Sequence, residues 1–322
     1  MGTLIFSEGN GYGHVARDKA IADRFGFRIM TFGKGAEYCR MRGMDFIEIP
    51  SPYRIEKKRK TTRIVTELSE LRKFVKPDVM SAIADCFKRT DVVIVDGSPL
   101  GLVLATAAGK RTILIANDIS AMVGVGNSVS REFASQFLDR FMKRADAVLV
   151  PDFSPPLTVT MLNLQKDIPL EFIGPLTERS SQKRHRKKYV VSTLDSAIVK
   201  AVERVVGDDA IYASDVGDIR PYYRDCGAVI CHGGHTAIMD SLSYGKPPVC
   251  VVDGTYSERV NHAAMLERLD VGVSIDKARL SDDSLRCALD YAGTLNQKRL
   301  SLYKRTAERT DPLLAIGKIL KG

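Results

Sequence analysis

The sequence predicts an α/β protein of two domains, each a parallel sheet built from βα units. Three observations carry this. Short apolar runs alternate with amphipathic stretches along most of the chain, the signature of repeated βα units. The alternation pauses once, at Phe172-Ile173-Gly174-Pro175 and a polar, basic stretch to Lys188, and restarts at Tyr189. Each half also contains an apolar run that leads through a glycine-rich turn into a helical pattern, Glu8–His14 in the first and Cys231–Thr236 in the second. A chain of 322 residues accommodates two domains at about 150 residues each. The expected boundaries are a first domain at 1–178, a basic linker at 179–188 and a second domain at 189–322.

In the first half, strands are expected at Thr3–Phe6, Phe27–Phe32, Asp45–Ile49, Asp91–Val95, Thr112–Ala116 and Ala147–Val150, with helices such as Val15–Phe25 and Arg131–Arg144 between them. In the second, strands are expected at Tyr189–Ser192, Ala210–Ala213, Ala228–Cys231 and Pro248–Val252. Helices follow at Asp195–Val206, Thr236–Tyr244 and Arg259–Leu269. The segment Asn296–Leu320 is helical with a break at Pro312, because proline lacks the amide proton and clashes with the preceding turn. Two such domains imply a cleft, and open parallel sheets bind ligands beyond the carboxyl ends of their strands.

Composition narrows the function classes. A hydrophobic fraction of 44% and a charged fraction of 27% are those of a folded globular protein. No run approaches the roughly 18–20 apolar residues of a membrane span, and no signal-peptide pattern precedes Thr3, so a cytoplasmic protein is expected. The six cysteines are scattered without metal-site spacing, and neither a disulfide framework nor a metal site is expected. The net charge of +9 favours anionic partners. It concentrates in Arg54–Arg63 and Arg179–Lys188, which suit solvated loops or contact with an anionic surface.

The first glycine turn, Gly9-Asn10-Gly11-Tyr12-Gly13-His14, departs from the GxGxxG dinucleotide spacing, and no acid closes the next strand, which argues against a nicotinamide cofactor. His14 suits either a turn or capping role or, at the top of a strand, a general base. The second turn, His232-Gly233-Gly234-His235-Thr236, presents free helix-start amides suited to a diphosphate, or is simply a tight strand-to-helix turn.

The longer string decides between these. His232-Gly233-Gly234-His235-Thr236-Ala237-Ile238-Met239-Asp240-Ser241-Leu242, then Gly245-Lys246-Pro247-Pro248, then Asn261, Ala263-Ala264 and Gly272, resembles the donor signature of nucleotide-sugar glycosyltransferases of the GT-B fold. The match spans about Asp218 to Ile275, nearest the UDP-glycosyltransferases and the peptidoglycan N-acetylglucosamine transferase. The resemblance implies two Rossmann-like domains facing across a cleft, with a C-terminal helix crossing back to the first. It implies no cofactor beyond a UDP-sugar co-substrate, and an unidentified hydroxyl acceptor; no nucleic-acid partner is expected, because the sequence holds no RNA-binding aromatic motif or helix-turn-helix pattern. Gly233, Gly234, His235 and Thr236 amides with the His232 side chain would hold the diphosphate, helped by glycines such as Gly11 and Gly13. Asp240 replaces the family's ribose-binding glutamate, Ile219 takes the uracil-reading position, and Ser192 takes that of a phosphate-touching hydroxyl. A core role for Ile219 and a helix cap for Ser192 remain open.

His14 aligns with the family's base and Asp96 with its orienting carboxylate, an N-cap before Pro99 being the other role open to Asp96. Where relatives carry Asp-Gln or Glu-Gln, this chain has Ser257-Glu258, so Glu258 and Asn261 stand at the sugar-binding positions without fixing the sugar. The chain has no Asp-x-Asp metal motif. The expected activity is therefore metal-independent, inverting transfer from a UDP-sugar, with the 54–63 segment placed to meet an anionic membrane or lipid acceptor. The alternatives are a UDP-sugar 2-epimerase of the same fold and a non-enzymatic basic binding protein.

Overall fold

A computed structural model describes residues 2–52, 54–58, 61–65, 72–73, 75–117, 142–164, 168–177, 185–216, 218–254 and 256–322, with only the backbone of 54–58 and 61–65. The chain forms two compact units. The first comprises Met1–Pro151, Asn163–Ile173 and Pro312–Gly322, and the second Asp152–Leu162 and Gly174–Asp311.

The first unit runs β1 (Thr3–Ser7), α1 (Gly13–Phe25), β2 (Arg28–Thr31), α2 (Gly33–Met41), β3 (Phe46–Glu48), β4 (Arg54–Lys58), β5 (Thr61–Val65), α3 (Pro77–Lys88), β6 (Val92–Asp96), α4 (Pro99–Ala107), β7 (Arg111–Ile115), β8 (Ala147–Val150) and β9 (Glu171–Phe172). Seven strands form a parallel sheet in the order β3-β2-β1-β6-β7-β8-β9. Ile5, Phe6, Val93, Ile94, Val95, Ile113 and Leu114 are fully buried. These are the continuous apolar runs of strands covered on both faces, which is why the sequence locates them so well.

The basic run beginning at Arg54 forms the antiparallel pair β4–β5, an element the sequence reading does not contain. Most of the expected helix Arg131–Arg144 and of the expected linker 179–188 lies outside the described residues. α2, α3 and α4 are further elements absent from the sequence reading. α4 is almost entirely apolar, PLGLVLATA, and gives no amphipathic period to detect.

The second unit continues with β10 (Tyr189–Ser192), α5 (Ser196–Val206), β11 (Ala210–Tyr212), β12 (Ala228–Cys231), α6 (His235–Ser243), β13 (Pro248–Val252), α7 (Ser257–Arg268), β14 (Val273–Asp276), α8 (Asp282–Thr294) and α9 (Gln297–Arg309). Its five strands are parallel in the order β11-β10-β12-β13-β14.

The break expected at Pro312 is present. α9 ends at Arg309, and α10 (Pro312–Lys321) starts on the proline, where the missing amide proton costs nothing. α10 belongs to the first unit, where Arg111 Nη2 donates to the Ile319 carbonyl at 2.6 Å. Among the described residues no helix is long and apolar enough to cross a membrane.

Both sheets reverse their winding once. β1 leads outward to β2 and β3, while β6 and its successors extend the other way; β10 and β12 do the same in the second unit. At such a switch point the loops leaving two adjacent strands part in opposite directions and open a crevice. The two glycine turns found in the sequence stand at these two points.

Candidate active site

In the first unit, β1 and β6 pair with Ser7 opposite Asp96, so the turn after β1 and the end of β6 are neighbours. Glu8 Oε1 accepts from the Asn10 amide at 3.1 Å and bends the chain toward α1. α1 then carries His14 in its first turn. His14 Nδ1 lies 2.8 Å from Asp96 Oδ1, with the ring 28% exposed and the carboxylate fully buried. The cap open to Asp96 is taken by Ser98, whose Oγ accepts from the Gly101 amide at 3.2 Å.

Arg17, one turn beyond His14, is a member of this cluster that the sequence reading missed. Its Nε donates to Asp96 Oδ2 at 2.5 Å, Nη2 donates to Oδ1, and Nη1 donates to Asn117 Oδ1 at 2.9 Å. Burial pushes the Asp96 carboxyl up, but the Arg17 charge, followed by that of His14, outweighs it and holds the group well below the usual carboxylate range. An ionised carboxylate only accepts, so His14 presents a proton on Nδ1 and leaves Nε2 as a basic lone pair. Asp18, also fully buried, is pushed well above the ordinary carboxylate range, first by desolvation and then by the nearby Asp96 charge, which favours its neutral form. A detectable signal existed for both: Arg17 and Asp18 stand three and four residues after His14, the spacing that shares one helix face. Gly11 has open space around its Cα, and Gly13 is the first residue of α1. Both belong to this first-unit turn, whereas the rest of the expected donor set lies in the second unit.

In the second unit, β10 pairs with β12 so that Ser192 faces Cys231. That register sets Ser192 and Thr193 beside the His232 turn. His232 Nδ1 is 3.2 Å from Thr193 Oγ1, which also accepts from the Asp195 amide at 3.1 Å. The helix cap open to Ser192 is held by Asp195, which accepts from the Ala197 and Ile198 amides. Near Ser192 stands Tyr223, a fully buried phenol pushed well up by burial and then by the Asp240 charge. Asp240 lies buried on α6, close enough to Tyr223 for its charge to act on the phenol.

The turn itself is tight. Gly233 has φ 81°, and a Cβ there would stand 2.8 Å from Val252 Cγ1. Gly234 caps α6, and a Cβ on it would fall 3.0 Å from His232 Nε2. His262 braces the turn from α7 with Nδ1 3.2 Å from the Gly233 carbonyl, and burial lowers the pKa of its ring, keeping it neutral. Glu258 and Asn261 lie on α7, both partly buried. Between them Arg259 stacks on Tyr256 at 4.4 Å and stands close enough to the turn to favour the Cys231 thiolate, after the stronger contribution of the Cys250 hydrogen bond. Ile219 packs against Val190, Tyr223, Cys226 and Val229, and its carbonyl accepts from Tyr222. Thr193, Tyr223, Arg259 and His262 are therefore further residues of the turn that the sequence reading left out.

The two arrangements offer different chemistry. The first has an imidazole oriented through Nδ1, with Nε2 unengaged among the described residues. The second has the amino-terminal end of α6, a histidine and a guanidinium, a set that complements a diphosphate.

Residues 177–315 match the profile of the glycosyltransferase family 28 C-terminal domain. An uncharacterized glycosyltransferase of Methanosarcina mazei is 25% identical over 373 residues, covering 100% of this chain and 98% of its own. One from Methanosarcina acetivorans is 24% identical over 341 residues, 89% of each chain. Among solved structures, the spinosyn forosaminyltransferase SpnP superposes with TM-score 0.66 at 15% identity, covering 100% of this chain and 98% of that one. The spinosyn rhamnosyltransferase SpnG gives TM-score 0.65 at 13% identity over the whole of both chains. These structural matches carry the fold. Residues 177–315, which enclose the Gly233-Gly234 turn, thus match a glycosyltransferase family 28 C-terminal domain, and the chain shares its fold with solved glycosyltransferases over its whole length.

Proposed function

We propose that the enzyme moves a sugar from a UDP-sugar to a hydroxyl acceptor by a single inverting displacement that uses no metal ion. The observation that carries this is the 2.8 Å His14–Asp96 contact in a chain whose residues 177–315 match a glycosyltransferase family 28 C-terminal domain. His14 Nε2 takes the acceptor's hydroxyl proton as its oxygen bonds to the anomeric carbon. The bond from that carbon to the diphosphate breaks, and the electron pair leaves on UDP. A positioned base of this kind contributes about 10² to 10⁴ in rate.

Leaving-group charge falls on the α6 amides from Gly234 onward, on His232 and on Arg259, donors fixed before the reaction and so costing no reorganisation. Thr193 Oγ1 accepts from the Asp195 amide and lies 3.2 Å from His232 Nδ1; with its hydroxyl proton donated to Nδ1, His232 would carry its own proton on Nε2, available to a donor phosphate. The absence of an Asp-x-Asp motif from the sequence supports reading these groups as the charge-neutralising set.

The test is thermal unfolding and calorimetry with UDP, GDP, TDP and ADP. Stabilisation by UDP above the others, lost in Gly234→Asp, is the expected result. Equal response to all four removes the uridine assignment, and no response removes the diphosphate site.

A further inference from the structure

We infer that Arg17 is a positioning residue that sets the protonation behaviour of His14 by clamping and neutralising Asp96; the inference rests on His14 being the base of the reaction proposed above. A carboxylate alone beside an imidazole favours the imidazolium, because the two opposite charges attract at short range. Here that carboxylate is already engaged. The Arg17 fork reaches both Asp96 oxygens and, through Nη1, the amide oxygen of Asn117 just beyond β7, so the end of β6 and the loop after β7 fix one guanidinium.

Arg17 is itself buried, 4% exposed, and its Nη2 lies 3.1 Å from His14 Nδ1. A bidentate guanidinium–carboxylate pair is geometrically rigid, unlike a single ammonium contact. The groups facing His14 are Arg17 from α1, Asp96 from β6 and the backbone of Gly97, with the buried Asp18 of α1 near Asp96. Arg17 is thus the formal positive charge opposing Asp96 among these named groups. Its effect on His14 is twofold. It holds the accepting oxygen 2.8 Å from Nδ1, and it removes the net negative charge that would keep a captured proton on the ring after transfer. A base must release its proton once per turnover, so the clamp favours recycling as well as orientation.

The experiment follows His14 directly by carbon-13 and nitrogen-15 NMR of the ring across pH, its signals assigned with His14→Ala; the five histidines keep the spectrum simple. In Arg17→Gln the protonated ring is expected to persist to a pH about one unit higher than in the wild type. An unchanged titration overturns the inference. If Arg17→Gln does not fold, Arg17→Lys retains charge without the fork. The downfield Nδ1 proton of His14 should then broaden, and a wild-type resonance overturns the clamp. Turnover of UDP-N-acetylglucosamine or UDP-glucose with water as acceptor separates this idea from the reading beneath it. Activity surviving in His14→Ala rejects the base assignment, whereas an NMR result identical to wild type rejects only the role of Arg17.

Discussion

The backbone of Gly97 lies directly against the ring of His14: a methyl group at Gly97 would stand 2.3 Å from Cε1 and 2.7 Å from Nδ1. Gly97 follows Asp96 at the end of β6 and has φ 62°, a left-handed conformation that side chains resist. The same two residues, Asp96 and Gly97, thus supply the hydrogen bond and the wall that define the imidazole's position.

Gly97→Ala should therefore act on His14 twice, through backbone strain of about 1–2 kcal/mol and through displacement of the ring. A shift of about 1 Å in a reacting group costs on the order of 10² in rate. The expected result is a kcat reduced by about that factor with UDP binding to the second unit unchanged, measured by steady-state kinetics beside calorimetry. Wild-type kcat would show that the ring position is not critical.

Asp96→Asn keeps the shape but replaces an ion with an amide that can donate as well as accept, so the His14 tautomer is no longer dictated. Turnover should fall by about 10² to 10⁴. The acid stability should change too. Because the folded-state pKa of Asp96 is depressed, the ion's contribution is fully present above the ordinary value near 4. It is lost as pH falls toward the folded value. Unfolding curves between about pH 7 and pH 3 should be less pH-dependent in Asp96→Asn than in the wild type.

Asp18 has the opposite sign. Its folded-state pKa is raised by burial and by Asp96, so the neutral acid's contribution is present below the ordinary value near 4 and declines as pH rises through the folded value. Asp18→Asn mimics the neutral acid at every pH. Relative to wild type, the variant should gain stability as pH rises, and a difference that stays flat from pH 4 to 8 would mean that Asp18 is ionised when folded.

Gly234→Asp places a carboxylate where diphosphate charge is expected, and its Cβ meets His232 Nε2 at 3.0 Å. UDP at about 100 times its dissociation constant should stabilise the wild type by about 2.7 kcal/mol and the variant by nothing measurable. A retained shift would move the nucleotide away from this turn.

Much of the fold was legible in the sequence. The strands of both sheets are continuous β-branched and apolar runs because parallel strands are covered on both faces, and Ala147–Val150, Tyr189–Ser192, Ala228–Cys231 and Pro248–Val252 have the bounds expected. Pro312 split the last helix for a purely local reason, the missing amide proton. The glycine turns at Gly9–Gly13 and Gly233-Gly234 were legible for the same kind of reason, since local steric demand writes itself into residue type. Tertiary structure decided what local chemistry does not encode: that β1 pairs with β6, setting Asp96 against His14 across 82 residues, and that β10 pairs with β12, setting Thr193 beside His232. Arg17 is the clearest case. A charged residue in an amphipathic helix is by default solvent-facing, and only the burial of Asp96 beneath α1 makes its guanidinium a partner, because a buried carboxylate must find a counter-charge and the sequence does not say where the carboxylate lies.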